Sequence, residues 1–136
     1  MPMRTTTQQR SLMFLMFLRA AIALQTAAIF FQAVTAGLLL SSPHGEALHS
    51  AGARGMYAAA MLYVLTAILV WRPGGGSPMP ILYSAGFLVL ASVQVVLGIA
   101  HVVTLHVPLG ILMFGLSALQ LGQVLAGRRT RADAAV

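Results

Sequence analysis

Two hexapeptides of this chain, His44-Gly45-Glu46-Ala47-Leu48-His49 and His101-Val102-Val103-Thr104-Leu105-His106, share the pattern H-x-x-x-L-H and hold all four of its histidines. Imidazole is the side chain best suited to ligate a transition metal or haem iron at neutral pH. Cysteine is absent, so any metal here is held by His, Met, Asp or Glu. The likeness runs beyond the motif. At the same spacing of 57 residues Met56 pairs with Met113, Tyr57 with Phe114, Leu62 with Leu119 and Arg72 with Arg129. Upstream, Gln32-Ala-Val-Thr-Ala36 parallels Gln94-Val-Val-Leu-Gly98 at a spacing of 62, as a longer first outer loop would produce. The chain therefore reads as a duplicated helical hairpin, its halves related by an axis along a membrane normal and its equivalent residues at equal depth.

The elements that must position these histidines are membrane spans. Of 136 residues 59% are hydrophobic and 7% charged, with a mean hydropathy of +0.89. Such a composition excludes a soluble enzyme, a disordered chain and a disulfide scaffold. Four apolar stretches, near 12–40, 48–71, 81–103 and 109–126, are each long enough for a hydrocarbon core of about 30 Å. Ser41-Ser42-Pro43 and Arg72-Pro73-Gly74-Gly75-Gly76-Ser77-Pro78 break the first from the second and the second from the third. The apolar run of the first stretch exceeds the 7 to 15 residues or so of a signal-peptide core, so it is expected to be a retained span. The fold expected is all-α, a single integral membrane domain over 1–136 built as a four-helix bundle.

The net charge of +6 comes from eight arginines scattered at segment ends, a topology signal rather than a nucleic-acid surface. Arg4, Arg10, Arg72, Arg128, Arg129 and Arg131 flank the termini and the middle loop, which places that side in the cytoplasm and all four histidines at the outer end. Arg19 is expected to snorkel to the cytoplasmic surface. The arginine-rich tail acts as a stop signal that also meets anionic lipid.

In an up-down-up-down bundle spans two and four lie diagonally, some 11 to 14 Å apart for neighbours about 8 to 10 Å apart. His49 and His106 can then face each other across the centre and ligate one metal, as in a bis-histidine haem site. One, two and three turns inward on the same faces lie Ala53 and Gly110, Met56 and Met113, Ala60 and Ser117. Small residues would leave room for a macrocycle and methionine packs softly against a ring, although small residues also serve close helix packing. His44 and His101 lie about 140° away around a helix from their partners. They stack near a cofactor edge, form a second site or anchor at the interface.

With Glu46-Ala-Leu-His49 on the second span, and Leu105-His106-Val-Pro-Leu-Gly110 preceded by Gln94-Val-Val-Leu-Gly98 on the other half, the chain resembles one four-helix half of the heme A synthase family, or the small four-span bacterial proteins related to it. That resemblance implies a bacterial plasma-membrane protein with haem b held axially by His49 and His106. It also places Glu46 at the family's catalytic glutamate and implies, if the chain is an enzyme, a heme A synthase-like oxidoreductase. Ser50 stands where the family commonly has arginine, and the paired loop cysteines and second half are missing. The likeness thus bears on haem binding more than on synthesis.

Other residues carry less. Glu46, one turn before His49, can orient the imidazole or move a proton, or is an exposed carboxylate at a helix start. Arg54 can neutralise a propionate or snorkel to headgroups. No methionine–histidine clustering of a copper transporter, phosphate loop, Ser-His-Asp set or Cys-x-x-Cys occurs. The function expected is a haem b-binding membrane protein for electron transfer or haem handling. Its partners would be the lipid bilayer and either a redox protein or a second copy of itself. The alternative is a cofactor-free small membrane subunit of a larger complex.

Overall fold

A computed structural model describes residues 6–133, without the side chains of 128–133. Arg4 lies outside the described residues, as do the side chains of Arg128, Arg129 and Arg131. Four helices follow one another: α1 (Thr6–Ser41), α2 (Gly45–Trp71), α3 (Met79–Ile99) and α4 (Val103–Asp133). All four are long and apolar enough to cross a membrane. Each packs against its two neighbours in a closed square, α1 on α2 and α4, and α3 on α2 and α4. The α2 and α4 backbones stay apart on the diagonal, and only side chains bridge them.

The bundle turns its large apolar residues outward. Phe30, Leu65, Leu82, Val89, Ile111 and Leu119 are all more than half exposed, a surface that lipid chains rather than water can cover. The interior is small and partly polar: Ala60, Ala67, Ala91, Gln25, Ser84 and Ser117 are fully buried. Without a hydrophobic force between helices in lipid, close packing and interhelical hydrogen bonds hold the bundle, at about 0.6 kcal/mol per bond. Every neighbouring pair has at least one such link. Thr35 meets His49 between α1 and α2, and Tyr57 meets Ser92 between α2 and α3. Gln94 meets His106 between α3 and α4, and Thr26 meets Ser117 between α1 and α4. Gln120 donates to the Tyr63 hydroxyl across the diagonal.

Two boundaries differ from the sequence expectation. The third span was expected to reach 103 and the fourth to begin at 109, but α3 stops at Ile99 and α4 starts at Val103. The turn between them is a Schellman motif, in which the Val102 N–H donates to the Leu97 carbonyl and the His101 N–H to that of Gly98. His101 occupies its left-handed position at φ 54°, where glycine is usual, so no glycine marks the stop. Pro108 falls inside α4 rather than at its start.

The longer first outer loop is also corrected. The α1–α2 and α3–α4 turns are both three residues, 42–44 and 100–102. The five extra residues between Gln32 and His49 are helical instead, four at the end of α1 and one at the start of α2. The first hairpin thus stands about one turn taller than the second, and Gly45, where a Cβ would meet the Leu38–Leu39 backbone, permits its tight reversal.

Candidate functional site

His49 sits on the second turn of α2 and His106 on the first turn of α4, both half-buried, at the end of the bundle away from the chain termini. Their ring centroids are 6.1 Å apart and their planes 71° from parallel. The face beneath follows the expected spacing. Ala53 and Gly110 are half-buried, while Met56, Ala60, Met113 and Ser117 are buried. Residues 57 positions apart meet around the axis repeatedly: the two histidines, Met56 and Met113 in one apolar cluster, and Tyr63 with Gln120 through their hydrogen bond.

Each ring is held at Nδ1 by the other helix of its own hairpin. His106 Nδ1 lies 3.0 Å from the Gln94 backbone carbonyl. A carbonyl only accepts, so Nδ1 carries a proton, and in the neutral ring Nε2 keeps its lone pair. His49 Nδ1 lies 3.0 Å from the Thr35 hydroxyl. That hydroxyl donates its own proton to the Gln32 carbonyl at 3.1 Å, so it accepts from Nδ1–H, and Nε2 of His49 is again the free base. Two imidazoles anchored at Nδ1 by the protein share this feature with metal-ligating histidines.

Glycine makes room for these anchors. A Cβ on Gly110 would press on the Gln94 amide at 2.9 Å, and one on Gly98 would sit 3.2 Å from His106 Cε1. On the other side a Cβ on Gly52 would overlap the Gln32 amide. Gln94 Nε2 donates to the His106 backbone carbonyl at 2.8 Å. Two buried polar atoms of these amides, Gln32 Nε2 as donor and Gln94 Oε1 as acceptor, have no hydrogen-bond partner among the described residues, which is costly away from water.

The remaining sequence candidates stand at the rim. His44 and His101 occupy the two outer turns, exposed, and take no part in the His49–His106 contact. Glu46 is exposed on the first turn of α2, where its charge favours the helix N-terminus, and Arg54 is exposed one turn and a half beyond His49. Thr35 and Gln32 went unnoticed as site residues in the sequence. Their signal was a pair of polar side chains three residues apart in the otherwise apolar stretch 27–40.

Among the described residues no cluster of three or more His, Cys, Asp or Glu side chains could hold a metal ion by itself. Two histidines suit a metal whose other ligands come with it, as in a macrocycle. The two rings, 6.1 Å apart by centroid and close to perpendicular, supply two nitrogen donors, short of the ligand count of a bare ion. Compared with family models, curated proteins and solved structures, this chain matches none of them.

Proposed function

We propose that this chain is a haem b-binding integral membrane protein in which His49 and His106 would hold the haem iron. The observation that supports it most is the pair of Nδ1-anchored imidazoles at 6.1 Å. Bound there, haem would supply reversible one-electron chemistry. The chain's own part is to fix the tautomers through Thr35 and the Gln94 carbonyl, to orient the rings, and to keep water away with the buried Met56 and Met113 layer. Electron transfer or haem handling suits this set better than an oxidation, because Glu46 is exposed at the rim rather than aimed into an enclosed site.

The same reading includes a duplicated hairpin, with equivalent residues meeting at the axis, and termini in the cytoplasm of a bacterial cell. Arg10 and Arg72, exposed at the end opposite the histidines, agree with that orientation. The test is the visible spectrum of the purified protein, oxidised and reduced. A low-spin six-coordinate haem spectrum that is lost in both His49→Ala and His106→Ala supports the reading. A colourless protein that takes up no added haem overturns it in favour of a cofactor-free subunit.

A further inference from the structure

At the other end of the bundle Arg19, half-buried, lines a cavity of about 280 Å³ between α1 and α4, with Leu15, Leu18, Gln123, Val124 and Gly127. Its depth is set by its neighbours. Leu18 packs in one cluster with Val70, α2 ends one residue later at Trp71, and the Arg72 guanidinium lies 4.9 Å from the Trp71 ring centroid. Tryptophan and arginine together mark the headgroup level of a bilayer. Arg19 is therefore a cation at headgroup depth inside a pocket whose walls are largely leucine and valine.

A guanidinium in such a place needs an anion. The acidic side chains of the sequence are Glu46 and Asp133. Among the described side chains the one carboxylate, Glu46, lies on the first turn of α2 at the opposite end. No described side chain supplies the anion.

A shallow, open groove on the surface of α4 itself adjoins the Arg19 cavity, sharing Gln123, and runs past Gly115, Ala118, Leu119, Gly122 and Ala126. Nothing lies within 4 Å of where a Cβ on Gly115 or Gly122 would stand. From residue 115 to 126 the groove extends about 16 Å, close to half of a hydrocarbon core of about 30 Å. A cationic pocket at headgroup depth thus opens into an apolar groove one leaflet long.

We propose that pocket and groove together bind one acidic phospholipid of the leaflet at the Arg19 end. The Arg19 guanidinium and Gln123 amide take its phosphate, and an acyl chain lies along Gly115, Ala118 and Gly122. The site is separate from the histidine pair and stands whether or not haem binds there.

The full chain, reconstituted in vesicles of equal parts phosphatidylglycerol and phosphatidylcholine and re-extracted in detergent, is examined by native mass spectrometry. One retained phosphatidylglycerol per chain is expected, in preference to phosphatidylcholine. Arg19→Gln should lower its retention about fivefold or more. Gly122→Leu keeps the cation and fills the groove, and because its side chain enters open space the helix content by circular dichroism should not change. It too should lose the lipid. Equal retention of both lipids, or retention unchanged in both variants, overturns the proposal. So does displacement of the lipid by inorganic phosphate with no effect of Gly122→Leu, which would mark a site for the free anion.

Discussion

Gln94 holds His106 twice: its backbone carbonyl accepts from the ring Nδ1 at 3.0 Å, and its side-chain amide donates to the His106 backbone carbonyl at 2.8 Å. The two bonds separate under mutation, because only the second needs the side chain. Gln94→Leu should cost about 0.6 to 1.7 kcal/mol of stability, measured by unfolding in mixed micelles, while the His106 tautomer and any low-spin spectrum persist.

On the other hairpin the anchor is a side chain, which makes it removable. Thr35→Val keeps the shape and deletes the acceptor for His49 Nδ1–H. Haem affinity, read by titration of the apoprotein, should fall about 10- to 100-fold, and Thr35→Ser should restore it. Equal affinity in all three proteins would show that Thr35 does not support a ligand.

His101 adopts a left-handed conformation that costs most L-residues roughly 1 to 2 kcal/mol. His101→Gly should therefore stabilise the protein by about 1 kcal/mol. Its visible spectrum should equal that of the parent, as should that of His44→Ala, since neither ring joins the His49–His106 contact.

Gly75, in the exposed loop between α2 and α3, is a position for a single cysteine in a cysteine-free chain. An impermeant thiol reagent outside intact cells should leave it unlabelled. Labelling there would reverse the orientation and put the histidines inside.

Much of this arrangement was legible from spacing. Residues at three- and four-residue intervals on spans two and four, His49, Met56 and Ala60 against His106, Met113 and Ser117, do face the axis, because helical periodicity is local and survives in any bundle. The diagonal placement of α2 and α4 followed from short connections. What escaped depends on tertiary contacts. The stop of α3 has no glycine or proline to announce it, since His101 takes the left-handed position. The extra turn of α1 reads as a loop because Ser41-Ser42-Pro43 shows only where the helix ends, not how its length compares with α3. Arg19 read as a snorkelling side chain, and its cavity exists only because α4 passes beside it.

The apolar layer of Ile29, Met56, Phe87, Ala91 and Met113 lies just below the histidine pair and has no polar side chain in it. For a charge it is a dielectric barrier: one arriving at the pair from the histidine end would not cross this layer, whereas one arriving from the Arg19 end would, and would feel about 2.3 kcal/mol per 100 mV of membrane potential.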